Sequence, residues 1–89
     1  MKKTTEPKPE RLYEEPAKEY RIRCLQWILA SEPEGVRIDV LTDRFRREFS
    51  EDACVKESIQ RTLNIMHARD LVERYHDESD GRGVLWGPG

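Results

Sequence analysis

The sequence predicts a small α+β domain, mainly helical, in which three helices are followed by an antiparallel β-hairpin. Apolar residues recur at helical spacing in three separate stretches, within residues 17–30, 40–49 and 55–69. Near the C-terminus, Leu71–His76 and Val84–Trp86 are rich in β-formers and flank a segment with turn-forming Asp80-Gly81 and Gly83. The length of 89 residues suits one such domain with a modest core, since a chain this size buries about 60–65% of its unfolded surface.

Residues 1–16 carry three prolines, mixed charge and, after Met1, only Leu12 and Tyr13 as sizeable apolar side chains. Such a segment has little to bury and is expected to be a flexible N-terminal arm, with residues 17–89 forming the domain. Leu12 and Tyr13 are candidates for docking on a partner subunit, and the arm's lysines for reaching DNA phosphates.

Ala17–Ala30 reads as the first helix, opened by Pro16, with Ile22, Leu25, Ile28 and Leu29 on its inward stripe. Tyr20, Cys24 and Trp27 broaden the apolar surface. Core packing is the expected use of Trp27, with a second subunit as the other. Pro33 and Gly35 break the helix, and Val36–Ile38 is long enough only for a short strand. Asp39 is expected to cap a second helix, Val40–Phe49, with Leu41, Phe45 and Phe49 at i, i+4, i+8. Arg44, Arg46 and Arg47 form the densest basic patch in the chain, beside Asp43 and Glu48.

After a turn at residues 50–53 comes a third helix, residues 55–69. Val55, Ile59, Leu63 and Met66 share its apolar stripe, while Glu57, Gln60, Arg61 and Asn64 fall together on the opposite side. A strand at 71–76, a hairpin loop at 77–83 and a return strand at 84–86 complete the chain. This order of elements is that of a winged helix-turn-helix.

Charge and composition restrict the function. Charged residues make up 38% of the chain, no apolar run is long enough to span a bilayer, and no signal peptide is expected, which leaves the cytoplasm as the default location. Cys24 and Cys54 stand on separate elements and are expected to be reduced. No His-Glu-x-x-His, Cys-x-x-Cys or phosphate-binding glycine loop is present, so neither an enzyme nor a metal or cofactor site is expected. The net charge of −2 is unfavourable for a nucleic-acid binder. Residues 1–35 hold seven basic and seven acidic side chains, and residues 36–89 hold nine and eleven. DNA affinity would therefore have to come from local clustering.

The third helix is suited to reading double-stranded DNA, because Arg matches guanine, Asn and Gln match adenine, and Glu matches cytosine in the major groove. The same pattern describes any amphipathic surface helix. On the DNA reading, Gln60, Arg61, Asn64 and Glu57 contact bases, with Glu57 alternatively pairing with Arg61 one turn away. Lys56, Ser58, Arg44 and Arg47 hold phosphates, and Arg82 at the wing tip enters the minor groove. Asp77, Glu78 and Asp80 around Arg82 oppose that last contact. Such a protein would act as a homodimer on a palindromic site. A winged-helix module that binds only protein, a second copy or a larger regulator, is the other reading; the acidic balance and broad first helix suit it.

Several stretches resemble the N-terminal winged-helix domain of bacterial WYL-domain transcriptional regulators, and more loosely DeoR-type domains. They are Arg21–Leu29, Leu41–Phe45, Val84–Trp86 and above all Ser58-Ile59-Gln60-Arg61-Thr62-Leu63-Asn64. The likeness spans about residues 17–86 and implies a small bacterial or phage transcription regulator that binds DNA through the third helix. Thr62 departs from it, standing where these regulators commonly carry Asp. They also continue into a ligand-sensing WYL domain, which these 89 residues do not contain, nor therefore the effector response and dimerisation surface it brings.

Overall fold

The computed structural model describes residues 8–50, 55–77 and 83–89. In chain order it contains α1 (Ala17–Leu29), β1 (Val36–Arg37), α2 (Ile38–Glu48), α3 (Lys56–Ala68), β2 (Val72–Asp77) and β3 (Gly83–Pro88). The strands form one antiparallel sheet in the order β1-β3-β2. Three helices and a three-stranded antiparallel sheet thus make an α+β fold around one core. None of the described helices is long and apolar enough to cross a membrane.

Pro16, with φ −62° and ψ 144°, is the extended residue from which α1 starts, and its carbonyl accepts the Tyr20 N–H at 3.0 Å. Ile22, Leu25, Ile28 and Leu29 face inward as the spacing requires, and Cys24 is a fully buried, reduced thiol among them. Cys54 lies outside the described residues. Trp27 is half-buried and meets Phe49 edge-on at 5.9 Å; Tyr20 does so at 6.2 Å. Beyond α1 the chain turns through Gly35, whose φ of +93° lies in the left-handed region that glycine alone adopts readily.

Helix α2 begins two residues before the expected start. Its N-cap is Arg37, and Asp39 does not cap it but stands in its first turn. The reason is the sheet: β1 ends after pairing Val36 with Trp86 and Arg37 with Leu85, and Ile38 already turns into the helix. Leu41, Phe45 and Phe49 are all buried.

In α3, Ile59, Leu63 and Met66 are fully buried, at about 1.5–3 kcal/mol each. Val55 does not join them. It is the extended N-cap and 53% exposed, because a residue outside the helix does not follow its period. As N-cap, Val55 makes no side-chain cap bond, and Ser58 lies within the first turn of the helix. The helix ends through Asp70, at φ +61°, with the Asp70 N–H on the His67 carbonyl and the Leu71 N–H on that of Met66. These two bonds define a Schellman stop, which aims the chain into β2.

The β2–β3 register pairs Arg74 with Trp86, Tyr75 with Leu85 and Asp77 with Gly83. The ends expected in the loop, Asp77 and Gly83, are therefore the last rung, and the loop tip falls on residues outside those described. β3 also runs on through Gly87 and Pro88. A proline without an N–H is tolerated there because β1 pairs only with Leu85 and Trp86, leaving β3 a neighbour on one side. Val36, Val72 and Trp86 join the helices in the core.

Residues 8–16 lie against α1 and the end of α2. The Lys8 ammonium donates to the Glu48 carbonyl at 2.8 Å, and the Tyr20 hydroxyl reaches the Pro9 carbonyl at 3.5 Å. Arg23 donates to the Glu10 carbonyl at 2.6 Å and to both Glu15 carboxylate oxygens, at 3.0 and 3.2 Å. The turn between leaves Leu12 62% and Tyr13 93% exposed.

Candidate nucleic-acid interface

Helical geometry places the chemistry of α3 on the side away from the core. Glu57, Arg61 and Asn64 are exposed and Gln60 is half-buried, and together with Lys56 they line a shallow concavity of about 390 Å³. The Gln60 amide donates to the Asn64 Oδ1 at 3.2 Å, so these two side chains form one donor–acceptor surface. No ion pair joins Glu57 to Arg61 among the described residues. Thr62 is 3% exposed, on the inner side, and its hydroxyl donates to the Ser58 carbonyl at 2.9 Å. It thus takes no part in the outer surface, and an Asp there would have to be buried.

The residues expected to hold phosphates are placed differently from one another. Lys56 bonds the Asp39 carboxylate at 2.6 Å and ties the first turn of α3 to the first turn of α2. The hydrogen bond from Lys56, then its charge and that of Arg37, hold the Asp39 carboxyl below its ordinary value; the same pair raises Lys56. Arg44 pairs with Glu32, in the turn after α1, at 2.8 Å. Ser58 is half-buried beside Thr62. Arg46 and Arg47 are exposed in the last turn of α2, and Arg47 stands about 12 Å along the helix axis from Asp39. Arg82 lies outside the described residues.

Two cations that the sequence reading left unassigned stand beside α3. Arg37 and Arg74 line a cleft of about 310 Å³ with Asp39, Gln60 and Trp86, between the first turn of α2, α3 and the hairpin. The Arg74 guanidinium lies 5.9 Å from the centre of the Trp86 ring, and His67 meets the same ring edge-on at 6.3 Å. Gln60 borders both the cleft and the α3 concavity, so the two hollows adjoin. The signal for Arg74 was the alternation of residues 71–76, which sets it on one face with Val72 and His76. Only the hairpin register puts that face over Trp86.

Among the described residues, no three His, Cys, Asp or Glu side chains are grouped as they would be to hold a metal ion. Comparison with protein-family models, with characterised proteins and with solved structures gives no match.

Proposed function

We propose that this chain is a winged helix-turn-helix module that binds double-stranded DNA sequence-specifically, as a small transcription regulator. In this reading α3 enters the major groove, the β2–β3 hairpin is the wing, and a homodimer meets a palindromic site. The observation that carries it is the outer surface of α3: Glu57, Gln60, Arg61 and Asn64 stand together around a shallow hollow, on the side of the helix opposite the buried Ile59, Leu63 and Met66. Gln60 and Asn64, already bonded to each other, present an amide pair suited to adenine. Arg61 offers guanine a bidentate fork worth about 1–3 kcal/mol of discrimination. The order of strands after the helices, β1-β3-β2, is consistent with a wing attached beside α3.

The test is selection of bound duplexes from a random pool, with Arg61→Ala in parallel. Enrichment of a palindromic motif that is relaxed at one base position in the variant is the expected result. Enrichment unchanged by the substitution would remove Arg61 from the reading set. No enrichment at low salt would overturn the DNA reading.

One observation favours the second reading, a module that binds protein. Leu12 and Tyr13 project from a braced turn, and an exposed aromatic held by such a turn suits a protein contact. Persistence of a complex at high salt separates this from phosphate binding.

A further inference from the structure

The turn that leads into α1 carries a run of exposed residues, Arg11-Leu12-Tyr13-Glu14. It closes with the Glu15 N–H on the Leu12 carbonyl at 3.0 Å, and Glu14, its third residue, has φ +64°. Glycine or asparagine is usual there, and another residue keeps such a backbone only where its surroundings impose it. Here they do. The Glu15 carboxylate accepts the Leu12 N–H at 3.0 Å and is held by Arg23 of α1, whose guanidinium also donates to the Glu10 carbonyl. Arg11 adds its Nε–H to the Glu15 carbonyl at 3.1 Å. The tip is thus fixed before anything binds it, so little ordering entropy remains to oppose a contact. Tyr13, 93% exposed, does almost no packing within its own chain.

The two ends of the tip carry opposite charges, and neither Arg11 nor Glu14 forms an ion pair among the described residues. Beside the tip, between the arm and the end of α2, lies a hollow of about 640 Å³ with Pro9, Tyr20, Phe49 and Arg11 in its lining. A sequence of positive, apolar, aromatic and negative residues is self-complementary, because a half-turn sets its negative end on the positive end of a copy. We propose that this tip joins two copies of the chain across a two-fold axis. Tyr13 of each copy enters the hollow of the other, and Glu14 of each meets Arg11 of the other. Because Arg11 lines the hollow, a Tyr13 seated there brings its neighbour Glu14 to that guanidinium, so one docking movement makes both contacts. The rings of Tyr20 and Phe49 suit an aromatic guest. The inference deepens the homodimer of the reading above, and the contact itself does not depend on DNA. Two such tips bury less than the ~1,200 Å² of a standard interface, so the dimer is weak until a palindromic duplex holds two copies side by side.

Sedimentation velocity at low salt, over a concentration series reaching millimolar protein, reads the association directly, with circular dichroism verifying that each variant is folded. The parent chain should dimerise, and Tyr13→Ala should weaken the dimer by about 30-fold or more, as the loss of an interface hot spot does. Arg11→Glu and Glu14→Arg, each alone, set like charges against each other at both ends of the contact and should be monomeric. Mixed in equal amounts, these two variants should form a heterodimer, and the chain carrying both substitutions should dimerise again. A parent chain that is monomeric at every concentration overturns the proposal. So does a parent dimer that the Tyr13 and charge variants leave unchanged, or a pair of folded charge variants that do not recover on mixing. None of these outcomes touches base reading, which the selection with Arg61→Ala tests separately. A chain that dimerises through the tip but selects no duplex keeps this contact and loses the DNA reading alone.

Discussion

Gly35→Ala tests whether the turn feeding β1 is constrained as the structure indicates. Gly35 has φ +93°, and an added Cβ would lie 2.9 Å from the Leu85 Cβ and 3.1 Å from the Tyr75 ring. A left-handed backbone costs a non-glycine residue about 1–2 kcal/mol. The Leu85 Cβ is fixed to the central strand and cannot swing aside, so overpacking adds about 1–3 kcal/mol. The reduced entropy of the unfolded chain offsets about 0.4–1 kcal/mol. The net loss is about 1–4.5 kcal/mol, against a total stability of about 4–13 kcal/mol for a chain of this length. In a domain this small, that loss lowers Tm by roughly 4–35 °C. Thermal and urea unfolding followed by circular dichroism measure it. Gly35→Asn, which tolerates the left-handed region but still carries a Cβ, should fall between the parent and the alanine variant. A Gly35→Ala chain that melts at or above the parent temperature refutes the argument. A variant that still folds should lose protection at the Val36–Trp86 and Arg37–Leu85 pairs in amide exchange, because Gly35 delivers β1 to the sheet.

Two further outcomes follow from the ion pairs. The Leu12 N–H and then Arg23 hold the Glu15 carboxyl below its ordinary 4.5, so this turn's contribution is present above pH 4.5 and is lost as pH falls through the depressed value. Carboxyl-carbon resonances should show a Glu15 midpoint under 4.5 that moves up, but not fully back, in Arg23→Ala; an unmoved midpoint would remove Arg23 as a cause. Asp39→Asn removes a carboxylate beside α3 and releases Lys56, so on the DNA reading duplex affinity at low salt should rise several-fold and the gain should fade near ~1 M salt, where charges are screened beyond about 3 Å. Weaker binding would instead mean that the Lys56–Asp39 pair serves mainly to position α3.

Elements were legible where local period and local chemistry coincide. Ile59, Leu63 and Met66 could be read as a buried stripe because a long amphipathic helix leaves little choice of face, and Glu57, Gln60, Arg61 and Asn64 followed as its outer side. Val55 could not be placed by period, because whether a residue is the first of a helix or its cap depends on the turn before it. Asp39 looked like a cap because capping residues are recognised by type. The start of α2 is instead set from a distance, by the pairing of β1 with β3, which frees Asp39 to meet Lys56. Arg37 and Arg74 were the least legible. Neither belongs to a motif, and they come to line one cleft only through the β1-β3-β2 strand order and a one-residue choice of hairpin register. Arg44, conversely, looked available in a basic run, yet Glu32 of the preceding turn takes it.

These pairings bear on the net charge of −2, which weighed against DNA from the outset. Several acids are not spread over the surface but sit against particular cations: Glu15 on Arg23, Glu32 on Arg44, Asp39 on Lys56, Glu48 on Lys8 and Glu19 on Arg69. Solvent-exposed charges act over about 8 Å at physiological salt, so a duplex at α3 would sense the residues around Gln60 rather than the whole chain. Around Gln60 stand Lys56, Arg61 and Arg74, against Glu57 and an Asp39 already matched by Lys56. That local excess is small. A binder built this way makes few phosphate contacts, so its non-specific affinity is low and its salt dependence shallow. Discrimination then has to come mainly from Gln60, Arg61 and Asn64, whose substitution should change which sequence is bound more than whether DNA is bound at all.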